Sequence, residues 1–303
     1  MDVDRVVDVL SVLIRSNRLG GSDRLTPLAL ELLAKLAAES DDFPRLRQLI
    51  ELYHPADPFA RLLAGGRDAV PPPPLDAVVR GFLERVLGTG RYRTAHLGGI
   101  VNPHPGDFHL TMTDHPYPVS ISFREMQLLA DLVRGHPAAG PFRVLEIGTG
   151  FGLSAVFLGC VAAARPAGHE VVTVDPFVED RLTDYAAVSD PGYDPAAVDY
   201  ADNLSFQSAQ ALRREFPELT VRQVLDPSPQ CFAHPAIAGT RFDLLFIDGN
   251  HFGEQPTLDF DGAATVANPD ALFVLHDAHA PGVVRLLDRL ADGPWDVTNH
   301  GTS

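Results

Sequence analysis

Lysine is almost absent from this chain of 303 residues, because Lys35 is the single lysine and the other strongly basic residues are arginines. Acidic residues outnumber basic ones by 40 to 24, which gives a formal net charge of −16. Proteins that bind nucleic acid or anionic lipid do so with clustered Lys and Arg. The charge therefore argues against nucleic acid and against a membrane surface as partners.

Cysteines and long apolar runs are also scarce. Cys160 and Cys231 are too few for a disulfide framework, and they match no metal-ligand spacing. No apolar run approaches the roughly 20 residues of a membrane span. The first residues, Met-Asp-Val-Asp, are acidic where a signal peptide carries positive charge. With 45% hydrophobic and 21% charged residues the composition is that of a globular protein, and we expect a cytoplasmic one.

The most informative motif lies at residues 142–152, Phe-Arg-Val-Leu-Glu-Ile-Gly-Thr-Gly-Phe-Gly. A short apolar run leads to Glu146, glycines alternate at Gly148, Gly150 and Gly152, and a helical pattern follows. This order predicts a strand, a tight turn and a helix. Glycine allows positive φ and close approach of a ligand, and such a turn at the end of a parallel strand is where α/β proteins bind nucleotides.

The spacing of the glycines excludes two other nucleotide sites. A dinucleotide fingerprint has the order G-x-G-x-x-G, but here the third glycine comes one residue early and Leu153 stands where a small residue belongs. A Walker loop requires Gly-Lys-Ser/Thr, and no lysine follows this turn.

Further apolar runs of strand length follow the glycines, and acids stand at their ends. The runs, including that of the motif, are 142–147, 170–175, 219–225, 242–248 and 271–277. Segments of helix length separate them, so we predict an α/β fold with a Rossmann-like, doubly wound, mostly parallel sheet. Asp175 at the end of the second run is suited to accept the hydroxyls of a ribose.

The pattern E-x-G-x-G-x-G resembles motif I of class I S-adenosylmethionine (SAM) dependent methyltransferases. Ile-Asp-Gly-Asn-His at 247–251 and Leu-His-Asp at 275–277 are similar to small-molecule O-methyltransferases of the macrocin and catechol type. The resemblance implies SAM as cofactor and places its binding residues at Glu146, Gly148, Thr149, Gly150, Gly152, Ser154, Asp175, Phe177, Asp226 and Asp248. In this resemblance Asp226 contacts the adenine and Phe177 packs on its ring.

The same resemblance implies a divalent ion such as Mg²⁺, held by Asp248 and Asp277, that lowers the pKa of the substrate oxygen. Two positions depart from the family pattern: Asn250 stands where the macrocin type has Asp, and Ala278 where the catechol type has Asn. Asp248 can also orient its loop without a metal.

We expect His251 to be the general base, because an imidazole titrates near neutral pH and this one lies three residues beyond Asp248. Strand alternation places His276 on the side opposite to Asp277. His279 and Asp261 are weaker candidates.

The predicted activity is methyl transfer to a small-molecule acceptor, most simply O-methylation in the biosynthesis of a specialised metabolite. A pocket that bends the methionine arm of SAM would instead transfer the aminocarboxypropyl group, or cyclise it, and release methylthioadenosine. A second alternative is a SAM-binding subunit without catalysis. The motif indicates binding and fold, and it does not choose between these chemistries.

The chain divides into a predicted N-terminal helical extension at 1–90, a connector or lid at 91–126, and the SAM-binding domain at 127–303. The extension carries helical apolar spacing, interrupted by four prolines at 71–74. It suits a homodimer interface, a lid or a simple appendage, and we favour the homodimer. The composition of 91–124 predicts either a mobile loop around a pocket or an ordered connector. We expect a sixth strand at 295–299. The family's last antiparallel strand does not follow it, so either the sequence is trimmed or the sheet is short by one edge strand.

Overall fold

The computed structural model describes residues 75–96, 108–113, 121–177, 200–201, 203–251, 253–278 and 280–300. The predictions for the helices within 1–74, for the segments 97–107, 114–120 and 178–199 and for His279 lie outside this part. Nearly all described residues belong to one compact unit, formed by 73–94, 109–177 and 191–303.

Helices and strands alternate through most of this unit. The helices are α1 (Ala77–Gly88), α2 (Phe123–Gly135), α3 (Leu153–Ala163), α4 (Leu204–Glu215), α5 (Gln255–Val266) and α6 (Pro281–Ala291), with a short 3₁₀ helix at Gln230–Ala233. The strands are β1 (Tyr92–His96), β2 (Phe108–Met112), β3 (Phe142–Ile147), β4 (His169–Val174), β5 (Val221–Val224), β6 (Phe242–Ile247) and β7 (Ala267–Leu275).

The central sheet has five strands in the order β5-β4-β3-β6-β7, and every neighbouring pair is parallel. Among the strands of this sheet, β3 comes first along the chain and lies in the middle, so the chain reverses its direction of winding between β5 and β6. In such sheets ligands bind at the carboxyl ends of the strands, beside this switch point. The Rossmann-like α/β fold that the sequence predicts is confirmed.

Each face of the sheet is covered by helices because both faces are apolar. Leu145, Ile147, Leu245 and their neighbours form one buried core with Phe260 of α5 and Leu286 of α6. Side chains alternate along a strand, so the neighbouring positions, Glu146 among them, point to the other face. There α3 contacts β3 and β4, and it also packs against α1, α2 and α4.

Helix α3 lies in the middle of the second layer, and its sequence is apolar on all sides. Nine of its residues are buried, as expected for a helix without a polar face. Gly152 precedes it with φ +83°, and a Cβ there would lie 2.9 Å from Ala209 of α4. This glycine therefore serves helix packing as well as the turn.

Helix α1 packs against this domain, although the sequence places it in the helical extension. Phe82 contacts Phe157 of α3 edge to face, with 5.2 Å between the ring centroids. Arg85 pairs with Glu218 and lies 4.1 Å above the ring of Phe216. The apolar spacing over 75–87 predicts a helix here, and the observed helix begins two residues later and ends one residue later.

The described parts of 91–124 agree with the alternative of an ordered connector, because they contain β1 and β2, which pair as a two-stranded sheet, and Leu110 and Thr111 are fully buried. One stretch differs from the sequence-based expectation. The predicted strand at 295–299 has no regular secondary structure. Trp295 instead packs edge to face on Phe260 and Phe273, at 5.0 and 5.4 Å between centroids. Aromatic packing thus replaces strand pairing in this segment.

No helix in the described part of the chain is long and apolar enough to cross a membrane.

Candidate active site

The turn after β3, which we call the glycine turn (148–152), takes its shape from three glycines. Gly148, Gly150 and Gly152 all have positive φ, at +97°, +48° and +83°, a region that other residues rarely enter. A Cβ on Gly148 would lie 2.2 Å from the carbonyl oxygen of Asp248. A Cβ on Gly150 would meet nothing within 4 Å. The turn therefore packs tightly against β6 at its start and faces open space at its centre.

Asp175, at the end of β4, holds this turn from the side. Its Oδ2 accepts the N–H of Gly150 at 2.8 Å, and its Oδ1 accepts the N–H of Phe177 at 2.7 Å. Asp175 is half-buried, so it lies at the edge of the turn and is partly accessible from outside it.

Glu146 lies beneath the glycine turn and is completely buried. Thr173 on β4 donates to its Oε2, and the hydroxyl of Thr149 lies 2.5 Å from that of Thr173. Burial raises the pKa of Glu146 to about 8, against the hydrogen bonds from Ser154 and Thr173. The other oxygen, Oε1, is buried without a hydrogen bond from any described residue.

Phe177 and Asp226 lie at the ends of β4 and β5, on the same edge of the sheet. Phe177 has φ +51° and is buried. Its ring contacts Tyr200 and Phe206 edge to face, at 6.4 and 5.3 Å between centroids. Asp226 is half-exposed. The described part of the structure thus places Phe177 in an aromatic cluster, and its packing on an adenine ring stays a prediction.

Four titratable side chains meet at the carboxyl ends of β6 and β7, and we call them the acid–imidazole cluster: Asp248, His251, His276 and Asp277. His276 Nδ1 lies 2.9 Å from Asp248 Oδ1. His251 contacts both acids, with Nε2 at 3.4 Å from Asp248 Oδ1 and Nδ1 at 3.5 Å from Asp277 Oδ2. The sequence analysis places Asp248, His251 and Asp277 at this edge, and the structure brings the three side chains together.

The predicted orientation of His276 is wrong. Strand alternation would turn it away from Asp277, but β7 ends at Leu275 and His276 lies in a bend. Asp277 then has φ +50°, so the alternation of an extended strand does not continue. As a result His276 Nδ1 lies 3.5 Å from Asp277 Oδ1 and belongs to the same cluster.

The charges of the cluster support one another. Burial opposes the ionisation of Asp248, but the neighbouring imidazoles outweigh it and lower the pKa of this carboxyl. Burial likewise acts to lower the pKa of His276, but the charges of Asp248 and Asp277 hold it well above its ordinary value. The same acids raise the pKa of His251 against burial. The arrangement favours carboxylates paired with imidazolium ions.

The cluster also offers donors for a metal ion. One ligand atom each from Asp248, His251 and Asp277 lies within 4.8 Å of the others. Two carboxylates with an imidazole are a donor set that fits a divalent cation. Among the weaker candidates, Asp261 is exposed and pairs with Arg289 at 2.8 Å, so it is not part of the cluster.

Two residues of this edge were not predicted from the sequence. Thr173 binds Glu146, and a polar residue among the valines of β4 was the signal for it. Glu125 of α2 contacts His276. Its sequence motif, S-x-x-E before an apolar run, indicates a helix cap. The motif gives no indication of the contact with His276.

Residues 145–278, somewhat less than half of the chain, match the family model described as a methyltransferase domain. Among solved structures, the chain is similar to cofactor-bound Rv0187 from MTB, with 25% identity over 58% of this chain and 71% of that one, and a TM-score of 0.38.

Two further solved structures are similar at lower identity. The C-terminal domain of precorrin-6Y C5,15-methyltransferase from Rhodobacter capsulatus has 18% identity over 56% of this chain and 70% of that one, with a TM-score of 0.35. A SAM-dependent methyltransferase from Agrobacterium tumefaciens has 16% identity over 56% of this chain and a TM-score of 0.35. The similarity covers 49% of the Agrobacterium chain.

The family match extends from within β3 to just past Asp277, so it contains the glycine turn, Asp175 and the acid–imidazole cluster. Residues 145–278 are thus similar to a methyltransferase domain, which supports an enzyme of the transferase class, for which SAM is the expected methyl donor.

Proposed function

We propose that this enzyme transfers the methyl group of SAM to an oxygen of a small-molecule acceptor in the biosynthesis of a specialised metabolite. The observation that carries the proposal is the acid–imidazole cluster at the same edge of the sheet as the glycine turn. A hydroxyl acceptor must lose its proton, and the cluster provides groups that can take it.

The residues around the glycine turn fit the cofactor. Asp175 is half-buried at the edge of the turn, where ribose hydroxyls would bind, and a Cβ on Gly150 would meet no described residue within 4 Å. Bound SAM supplies an electrophilic methyl group on its sulfonium.

His251 is the proposed general base. In its neutral form, which is populated above its raised pKa, it would take the proton of the acceptor hydroxyl on one ring nitrogen while an acid of the cluster holds the other. Asp248 and Asp277 lie on different ring nitrogens of His251, at 3.4 and 3.5 Å, so either acid can orient the ring. The methyl group moves from sulfur to oxygen, the proton moves to His251, and S-adenosylhomocysteine leaves.

Asp248 and Asp277 are also the proposed ligands of a divalent ion. When bound, Mg²⁺ would lower the pKa of the acceptor hydroxyl. In the alternative mechanism, which uses no metal ion, the same acids pair with the imidazoles. Treatment with EDTA distinguishes the two mechanisms, because it abolishes activity only if the enzyme requires a metal ion.

The first test is incubation of the purified protein with SAM and a panel of hydroxylated acceptors, with Mg²⁺ or with EDTA, followed by mass spectrometry of every nucleoside and acceptor. A methylated acceptor with equimolar S-adenosylhomocysteine supports the proposal. Enzyme-dependent methylthioadenosine would show that the methionine arm is transferred or cyclised, and O-methylation would then be wrong.

The proposed homodimer, formed through the helical extension at 1–90, is tested separately. Sedimentation at micromolar protein should give twice the monomer mass of 32.8 kDa. A sedimenting mass equal to that of the monomer would contradict it.

A further inference from the structure

Glu125 stands at the third position of α2, outside the segment that matches the methyltransferase family. It forms a capping box with Ser122: Glu125 Oε2 accepts the N–H of Ser122 at 2.6 Å, and Ser122 Oγ accepts the N–H of Glu125 at 3.2 Å. This motif satisfies two backbone donors at the start of a helix. It employs only one of the two carboxylate oxygens.

The second oxygen points to the acid–imidazole cluster. Glu125 Oε1 lies 3.3 Å from His276 Nε2, and it makes no hydrogen bond of normal geometry with any described residue. Glu125 is buried, with 6% of its surface exposed. Water cannot readily replace a missing hydrogen-bond partner there, so leaving this oxygen unpaired would cost free energy. The Nε2 of His276 is therefore a donor that this oxygen has within reach.

His276 thus lies between two acids from distant parts of the chain. Nε2 faces Glu125 of α2, and Nδ1 faces Asp248 at the end of β6, at 2.9 Å. A carboxylate only accepts hydrogen bonds, so contact with Glu125 requires a hydrogen on Nε2. The ring then has one orientation that presents Nδ1 to Asp248 and Asp277.

We propose that Glu125 is a positioning residue of the active site, which fixes the ring of His276 through Nε2 and so directs Nδ1 at Asp248 and Asp277. The inference rests on the proposed function, because the acid–imidazole cluster is where that function places the acceptor. Outer partners of a metal-ligating imidazole set its ring orientation and the position of its proton, and their loss typically costs 10–100-fold in metal affinity or activity. We expect an effect of the same order for Glu125, because the ring that it contacts holds Asp248 and Asp277.

The variant Glu125→Gln separates this role from the helix cap. Gln also serves in a capping box, so its single oxygen can still accept the N–H of Ser122. Its amide NH₂ then faces His276 Nε2 where the carboxylate oxygen was, and two donors oppose each other. The helix keeps its cap while the ring loses its acceptor.

The matched control is Ser122→Ala. It removes a capping hydroxyl, which costs about 0.5–2 kcal/mol of stability, and it leaves the carboxylate of Glu125 beside His276. We expect Glu125→Gln to lower kcat about 10–100-fold, with the melting temperature and the SAM affinity unchanged. We expect Ser122→Ala to lower the melting temperature with kcat within about twofold of wild type.

A second readout does not depend on activity. In protein labelled with ¹⁵N-histidine, His276 should give an Nε2–H signal that is protected from exchange with solvent, identified among the twelve histidines by its loss in His276→Asn. Ser122→Ala should retain this signal, and Glu125→Gln should shift it or remove its protection.

The outcomes distinguish the two proposals. If the wild type methylates an acceptor and Glu125→Gln leaves both kcat and the His276 signal unchanged, positioning by Glu125 is wrong. Positioning is equally wrong if Ser122→Ala lowers kcat as much as Glu125→Gln, because the cap is then the cause. If the wild type methylates nothing, the proposed function fails, and the His276 signal alone decides whether Glu125 holds the ring.

Discussion

The two halves of the candidate site are built in different ways. Around the glycine turn, backbone groups set the shape: Asp175 accepts two main-chain N–H groups, and the glycines adopt positive φ. In the acid–imidazole cluster, side chains that follow β6 and β7 contact one another, and Glu125 of α2 contacts His276 from outside the cluster. A site made from backbone is fixed when the chain folds, whereas a site made from coupled side chains depends on every partner.

This difference predicts how each half responds to mutation. Loss of a side chain around the glycine turn should change ligand binding or stability. It should have little effect on the rate of the chemical step. The cluster should lose turnover when any member changes, while cofactor affinity changes little. The following substitutions test the contrast, from the largest expected effect to the smallest.

Replacement of Asp248 by Asn should reduce kcat about 100- to 1,000-fold, the usual range for loss of acid–base function. The amide keeps the shape of the side chain but carries no charge to pair with His251 and His276. The SAM dissociation constant, from calorimetry, should change less than about fivefold. A loss of SAM affinity as large as the loss of kcat would remove the division into two halves.

Replacement of Asp175 by Ala should weaken SAM binding about 100-fold, because a charged acceptor for two hydroxyls is lost along with the bonds that hold Gly150 and Phe177. The control is Asp288→Ala, which removes an equal charge from an exposed position on α6. Micromolar SAM affinity retained in Asp175→Ala would contradict the assignment.

Replacement of Gly148 by Ala should lower the free energy of unfolding by about 2–4 kcal/mol, through strain at φ +97° and a clash with the carbonyl of Asp248. The matched variant is Gly150→Ala, where φ is also positive but space is open, and about 1 kcal/mol is expected. Urea unfolding measures both. Equal losses would mean that φ alone, and not the contact with β6, makes Gly148 necessary.

Replacement of Glu146 by Gln should change how stability depends on pH. The pKa of Glu146 is about 8 in the folded protein, above its usual 4.5, so the native state keeps a proton that the unfolded chain releases. Its stabilising contribution is complete below pH 4.5 and is lost as pH rises through 8.

Between those pH values the wild type should lose on the order of 1–3 kcal/mol relative to Glu146→Gln, less than the full linkage value because buried charges relax. Unfolding at a series of pH values measures this difference. Parallel stability profiles for the two proteins would show that Glu146 does not carry the buried proton.

The same contrast explains what the sequence predicts. The glycine turn, Asp175 and the five parallel strands follow from local patterns, since glycine spacing and apolar runs report directly on backbone structure. Asp248 and Asp277 follow because parallel strands end at one edge of the sheet. The orientation of His276 does not follow, because it depends on where β7 ends and on an Asp with positive φ.

Long-range contacts were the other failure of prediction. Glu125 lies 151 positions before His276 in the sequence, and its capping motif gives a sufficient local reason for its presence. The strand expected at 295–299 has the right composition, but Trp295 packs on Phe260 and Phe273 instead. Propensity is overridden there by tertiary packing.

The contact between Gly148 and Asp248 also limits how this enzyme can diversify. A Cβ at Gly148 would lie 2.2 Å from the Asp248 carbonyl, so the loop after β6 cannot move toward β3, and the turn cannot gain bulk. In a library selected for new acceptors, we therefore expect position 148 to remain glycine, whereas the contact sets no limit on the side chain at position 248, because only its backbone takes part.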